Sequence, residues 1–334
     1  MLKDKKVTLP QEIEEDGLID SSLRPQAIKQ YFGQESIKSN IEILIKAAKL
    51  RKEALEHILL YGPPGLGKTT LAHIIGNEIK VNVRVTSGPA LERPGDLASI
   101  LSNLGDKDIL FIDEIHRIPK TVEETLYPAM EDHALDVIIG KGPSARILRL
   151  DLPQFTIIGA TTRIGLLSSP IRDRFGVTLR MEYYTNDELA QILTQSANKL
   201  TIKAPIEAII EIAKRARSTP RIANRILKRV RDYAQVHNNN VINQEIVIKC
   251  CELLGVDSFG LNNLDYLYFN AIFNKFDGGP VGIETLSAAL SEDIGTLEEV
   301  VEPFLIQQGL IKKSPRGRIL TKLGSEIAQK ENRP

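Results

Sequence analysis

His57-Ile58-Leu59-Leu60-Tyr61-Gly62-Pro63-Pro64-Gly65-Leu66-Gly67-Lys68-Thr69-Thr70 decides how this chain is read. An apolar run of strand length ends on a glycine-rich turn, and the turn hands over to a helical pattern across Thr69–Lys80. Gly62 to Thr69 fits G-x-x-x-x-G-K-[ST] in the strand-to-helix setting that this phosphate loop requires. Glycines let backbone N–H groups converge on phosphate oxygens, and the following helix begins its positive dipole end there. Lys68 is placed to reach the β- and γ-phosphates, and the Thr69 hydroxyl to ligate Mg²⁺.

Working outward, Ile109-Leu110-Phe111-Ile112 is a second apolar strand, and it delivers Asp113 and Glu114 at its C-terminal end. That is where parallel α/β sheets open their ligand crevice. Asp113 suits Mg²⁺ binding through water. Glu114 suits polarising an attacking water in line with the phosphoryl group. Phe155–Ala160 is a further strand, followed by Thr161, Thr162 and Arg163. A polar residue such as Thr161 at its end can sense a γ-phosphate. Arg172 and Arg174 precede another apolar run, Val177–Met181. By themselves they read as a surface ion-pair site; beside a nucleotide site, one becomes a candidate arginine finger.

The same alternation organises the first half of the chain. Strands are expected at 57–61, 81–86, 109–112, 155–160 and 177–181, with helices at 37–52, 69–80 and 122–131 between them. Continuously apolar strands alternating with helices predict a parallel sheet covered on both faces. The stretch 134–150 interrupts this rhythm and reads as an inserted β-hairpin around Gly140-Lys141-Gly142-Pro143. Its apolar residues Ile138, Ile139, Ile147 and Leu148 either await a partner or pack on their own domain. After Tyr184 only amphipathic helices follow, at 187–200, 205–217, 221–238 and 244–254. A linker at 255–261 leads to helices at 263–275, 282–290 and 297–309, then a strand–turn–strand around Ser314-Pro315-Arg316-Gly317. Residues 1–22 read as a leader. Four parts are expected: 1–22, 23–182, 183–254 and 255–334.

In 334 residues, 43 cations balance 43 acids, which argues against a histone-like nucleic-acid binder. The balance hides local asymmetry. Lys214 to Arg231 holds eight cations and no acid, and Lys312 to Lys322 holds five and none. Lys313, Arg316 and Arg318 fit either backbone-phosphate contacts or a plain solvated hairpin. With no 18-residue apolar window, no membrane span is expected. The two cysteines, Cys250 and Cys251, are adjacent and cannot close an ordinary bridge. Together these point to a reducing cytoplasm. The histidines lack zinc-ligand spacing.

The ordered motifs resemble AAA+ ATPases, and more narrowly the RuvB family of Holliday-junction branch-migration motors. The narrower resemblance rests on Leu23-Arg24-Pro25, Phe32-Gly33-Gln34, Asp113 to Arg117, Tyr127 to Asp132, Gly159 to Arg163, Arg172 to Gly176, Ser218 to Arg225 and Ile306 to Gly309. It spans nearly the whole chain. It implies an α/β ATPase domain, a helical lid and a winged-helix domain, working as a homohexamer on duplex DNA at Holliday junctions. By this resemblance Leu23 and Arg24 contact adenine, while Gly62, Gly65, Leu66, Gly67, Lys68, Thr69 and Thr70 hold ATP and Mg²⁺. Glu131, Asp132 and His133 fall in a nucleotide-proximal segment. Thr161 matches the first sensor, Arg174 the finger that enters a neighbour's site, Tyr184 a lid contact and Arg221 the second sensor. The hairpin matches the insertion that docks on RuvA, and RuvC joins in the resolving complex. Two positions depart from the family pattern: Ile294 and Lys313 stand where arginine is usual. A clamp-loader-type ATPase shares the core motifs. A nucleotide-dependent binding module for a protein or a DNA sequence is the reading from another class.

Overall fold

The computed structural model describes residues 23–139 and 146–331, with side chains for all of these except 137–148 and 330–331. The expected leader, 1–22, lies outside the described residues. So do the side chains of Ile138, Ile139, Ile147 and Leu148. The chain forms two compact units, a sheet unit comprising 24–62 and 66–182, and a helical unit comprising Leu23, 63–65 and everything from 183 on.

Five strands build the core of the sheet unit: β1 Ile58–Tyr61, β2 Val83–Ser87, β3 Ile109–Asp113, β6 Thr156–Thr161 and β7 Val177–Arg180. They lie in the order β2-β3-β6-β1-β7, and every neighbouring pair is parallel. The sequence requires this arrangement: β1, β3 and β6 carry apolar residues on both faces and are buried throughout except for the terminal Tyr61 and Asp113. Such strands need helices above and below. These include α1 Glu35–Arg51, α2 Lys68–Ile79, α3 Pro94–Leu101 and α4 Lys120–Asp132. Leu59, Leu97, Leu110, Leu126 and Ile157 share one core cluster, each fully buried, and each such side chain contributes about 1.5–3 kcal/mol on leaving water. Because β6 is inserted between β1 and β3, Tyr61 pairs with Thr161, and Ile112 with Gly159. The C-terminal ends of the three strands therefore open side by side.

The hairpin expected at 134–150 is present as β4 Ala134–Ile139 paired antiparallel with β5 Arg146–Asp151, in a sheet of its own. Its base is anchored, since Ala134 and Leu135 are buried. His57, beside β1, is buried too. Its Nδ1 accepts the Ile157 amide at 2.9 Å, which leaves Nε2–H to donate to the Met130 carbonyl at 3.2 Å. Burial outweighs the Met130 bond and lowers its pKa from 6.5 to about 4. The folded protein thus binds fewer protons than the unfolded chain between these values, so stability rises with pH across this window and is lost as the pH is lowered through it. Titration from pH 7 to 4.5 is expected to cost the sheet unit about 2.4 kcal/mol at this residue. Denaturant midpoints across that range, compared with His57→Gln, check it: the variant should lose most of the slope.

In the helical unit, α6 Asn186–Lys199 starts on a Thr185–Glu188 capping box, and α9 Gln244–Leu253 on an Asn243 cap. Between them lie α7 Ile206–Arg215 and α8 Pro220–His237. The helix expected to reach Arg217 stops at Arg215, because Arg217 and Ser218 both turn left-handed, at φ 50° and 55°. The C-terminal part has its own core, including Tyr268, Phe269, Leu286, Leu305 and Leu320. Its helices are α10 Asn263–Asn270, α11 Ile283–Leu290, α12 Ile294–Thr296 and α13 Glu302–Gln307, the last two joined by a π-turn, Leu297–Val301. β8 Ile311–Ser314 and β9 Gly317–Leu320 then form a wing, with Val281 bridged to Arg318 at its edge. The chain finishes on α14 Lys322–Glu331, a helix the sequence reading did not mark.

Candidate active site and the wing

Between β1 and α2 the loop backbone requires glycine. Gly67 caps α2 at φ 97°, and a Cβ on Gly62 would stand 2.6 Å from the Met181 carbonyl oxygen. Lys68 is buried, and its ammonium donates to the Gly62 carbonyl at 2.8 Å, folded across the loop it serves. The Gly62 amide in turn donates to the Thr161 carbonyl at 3.2 Å, tying the loop to the end of β6.

At the end of β3, Glu114 takes a left-handed conformation, φ 47° and ψ 45°, uncommon for a residue with a Cβ and a mark of functional corners. Its amide donates to Asp113 Oδ1 at 3.0 Å. Its carboxylate has two neighbours that the sequence reading missed. His116 Nδ1 lies 3.1 Å from Oε2, and the Thr162 hydroxyl donates to the same oxygen at 3.3 Å. A carboxylate oxygen accepts, so the shared histidine proton sits on Nδ1.

The two threonines at the end of β6, the expected sensor Thr161 and its neighbour Thr162, face different partners. Thr161 is fully buried; its hydroxyl faces His116 Nδ1 at 2.9 Å and accepts the Arg163 amide at 3.0 Å. Strand alternation explains the difference, because successive side chains leave opposite faces. The side chain aimed at the Glu114 carboxylate is Thr162. Thr162→Val is expected to lower ATP turnover at least tenfold with nucleotide affinity retained. Thr161→Val should instead cost about 1–3 kcal/mol of stability by orphaning buried partners. Turnover and melting measured on both variants separate the two roles.

Arg174 sits elsewhere in the sheet unit, just after the short helix α5 Ser169–Asp173. Its guanidinium lies 4.4 Å over the Tyr127 ring, donates to the Pro170 carbonyl at 2.7 Å and pairs with Glu131 at 3.1 Å. Glu131 is thus engaged by the finger candidate. Asp132 holds Arg149 of β5 at 2.8 Å, and the His133 ring packs edge-on to Phe155 at 5.5 Å. In this structure all three of these residues support α4 and the hairpin base.

Of the two residues expected at adenine, Leu23 belongs to the helical unit and Arg24 to the sheet unit. The carbonyl of Leu23, itself buried, accepts Lys199 Nζ at 3.1 Å. Arg24 faces His73 of α2, whose pKa is lowered by burial first and by that arginine second. Tyr184 is buried, with its amide on the Ser218 carbonyl at 3.1 Å. The Arg221 amide approaches the Gly65 carbonyl at 3.4 Å, in the first turn of α8.

In the wing two of the expected DNA-contact residues, Lys313 and Arg318, pair with acids of their own domain. Glu302 is fully buried, and it receives Arg318 Nε at 2.8 Å, Lys313 Nζ at 2.5 Å and the Tyr268 hydroxyl at 2.9 Å. Arg318 also pairs with Glu298 at 3.0 Å. Burial pushes the Glu302 carboxyl up, but the hydrogen bonds from Arg318, Lys313 and Tyr268 outweigh it and hold it below the ordinary range. Arg318 and Lys313 therefore spend their charge inward, on a buried acid that must be paired. Arg316, at the turn, is exposed. Ile294, where the family pattern has arginine, opens α12 partly exposed and offers no charge.

A phosphate loop, an acidic pair and a threonine at three adjacent strand ends, with a helical lid following, define a P-loop ATPase of the AAA+ type. The comparisons narrow it. Family models for the Holliday junction DNA helicase RuvB match three successive parts of the chain: the P-loop domain over 23–181, the AAA lid domain over 184–257 and the C-terminal winged helix domain over 258–329. The Thermotoga maritima RuvB Holliday junction branch migration motor is 45% identical, covers 92% of this chain and 98% of its own, and superposes with a TM-score of 0.85. Two single-substitution variants of that protein, at 46% identity and the same coverage, also reach 0.85. The chain belongs to the RuvB family. It is an ATP-hydrolysing motor of branch migration, and the clamp-loader and binding-module readings fall away.

Proposed function

We propose that the chain works as a homohexameric ring around duplex DNA at Holliday junctions, in the cytoplasm. RuvA docks on the β4–β5 hairpin, and RuvC joins for resolution. The observation that carries the motor chemistry is the shared edge of β1, β6 and β3, which brings the Lys68 loop, Thr162 and the Asp113–Glu114 pair to one face. Mg²⁺ fits this donor set: a threonine hydroxyl at Thr69 and a carboxylate at Asp113 are hard oxygen ligands, and such an ion completes its shell with phosphate and water. When bound it would neutralise phosphate charge. Lys68 leaves the Gly62 carbonyl to meet the β- and γ-phosphates, and Glu114 orients water. Glu114 is held by His116 and Thr162 until substrate and water compete for it. Among the described residues no helix is long and apolar enough to cross a membrane.

Arg316 supplies the wing's phosphate contact. Arg316→Ala is expected to weaken duplex binding about equally for all sequences and to reduce the salt slope by about one. Arg318→Ala should instead destabilise the winged-helix domain by about 2 kcal/mol, since Glu302 loses its principal partner. Four-way-junction migration and salt-dependent binding test the whole reading. Junction DNA that leaves ATP turnover unchanged and is never migrated, with or without RuvA, would defeat it.

A further inference from the structure

The left-handed break after α7 places a single arginine where the lid meets the winged helix. Arg217 is buried, and its guanidinium grips Asp265 of α10 fork to fork, NH1 to Oδ2 and NH2 to Oδ1 both at 3.2 Å. The same group donates to the Val300 carbonyl at 3.2 Å and stacks 4.3 Å over the Phe304 ring of α13. Asp265 is fully buried and also accepts the Asn262 amide at 2.8 Å, closing the capping box that starts α10. One lid side chain therefore holds three separate segments of the winged helix.

The next residue continues the contact. Ser218 accepts the Tyr184 amide on its carbonyl and receives Gln307 Nε2 on its hydroxyl at 3.4 Å. One residue further on, Thr219 caps α8, and Arg221 in its first turn meets the Gly65 carbonyl. Arg217 and Arg221 line one cavity of about 310 Å³ with Gly65, Thr219 and Phe304.

We propose that Arg217, through Asp265, is a positioning residue that makes the lid and the winged-helix domain one rigid body, so that movement of Arg221 with the nucleotide reaches the DNA-contacting wing undiminished. Three features favour this over simple stabilisation. Two consecutive left-handed non-glycine residues are costly, and they are what swings the guanidinium onto α10. A planar fork that both chelates and stacks fixes orientation, which an ammonium cannot do. Buried ion pairs are weak sources of stability compared with apolar packing, and their best-attested use is registry. The proposal deepens the motor reading given above and rests on it for the role of the wing.

Two measurements separate its failure from failure of that reading. Spin labels on exposed Glu207 of α7 and Lys322 of α14, both changed to cysteine, report the lid-to-wing distance directly. Native Cys250 and Cys251 are buried, and burial pushes their thiols up to about 12 and 11, so they resist labelling. The wild-type distance should be narrow and the same with ADP as with a non-hydrolysable ATP analogue. Arg217→Lys and Asp265→Asn should broaden it. A wild-type distance that shifts by several ångström with nucleotide overturns the rigid body, whatever the DNA does.

The second measurement is coupling. Both variants should keep basal ATP turnover within about twofold, and junction migration per ATP hydrolysed should fall at least tenfold. Bridging Ser218→Cys and Gln307→Cys with a short bismaleimide in the Arg217→Lys background should restore it. Where Asp265→Asn fails to fold, Phe304→Leu, which removes only the stacking, should give an intermediate loss. Unchanged migration per ATP in folded variants, or a bridged variant that stays uncoupled, overturns the proposal.

Discussion

Glu114→Gln is expected to bind ATP with near wild-type affinity and to hydrolyse it 10²–10⁴-fold more slowly, the usual cost of losing a positioned general base. The amide preserves size and can still meet Thr162 and His116, yet it cannot accept a proton from water. Because Glu114 adopts φ 47° at the very end of β3, the backbone fixes where its carboxylate emerges, and a neighbouring acid cannot take over. Asp113 is turned to the Glu114 amide at 3.0 Å instead. Equilibrium binding of a fluorescent ATP analogue and single-turnover hydrolysis decide the matter together. Loss of binding would make Glu114 a structural anchor for the strand ends. Turnover within tenfold of wild type would remove it from the chemistry.

What could be read from the residues follows from what local pattern encodes. The phosphate loop and the acidic pair are contiguous motifs, and the apolar runs of β1, β3 and β6 have one stable home, the middle of a parallel sheet. The fold class was therefore legible, including the inserted hairpin and the winged-helix element order. Pairings between distant residues were not. Whether Thr161 or Thr162 faces Glu114 depends on strand phase, which is fixed only once β6 is docked against β1 and β3. The basic wing looked like a set of phosphate contacts because Glu302, whose buried carboxylate captures Arg318 and Lys313, lies eleven residues before Lys313 in sequence and on a different element. His116 looked like a stray histidine for the same reason. The Arg217–Asp265 pair joins residues 48 positions apart, and no local spacing announces it. Charge runs tell where cations are numerous; only the fold tells which ones remain available.

Arg174→Ala is expected to leave ATP binding intact and to cut turnover by about 10³-fold or more, within the range measured for arginine fingers. Its present partners are compatible with a finger that acts on a neighbouring subunit. The guanidinium rests on Tyr127, the Pro170 carbonyl and Glu131, all within its own sheet unit and none of them a phosphate-loop residue. Its Nε is buried without a hydrogen-bond partner, so this resting position is incompletely satisfied and can be left for a phosphate at modest cost. A ring would supply that phosphate from the adjoining subunit. The test mixes Arg174→Ala with Lys68→Ala, each inactive by itself. In mixed rings some interfaces combine an intact loop with an intact finger, and these should recover a fraction of wild-type turnover that rises and falls with the mixing ratio. Tyr127→Leu, which removes the ring under the guanidinium, should retain most activity, since the resting site is vacated during hydrolysis. If mixed rings form and recover nothing at any ratio, Arg174 does not act across an interface. Full activity in a dilute monomer would go further and dispense with the ring itself.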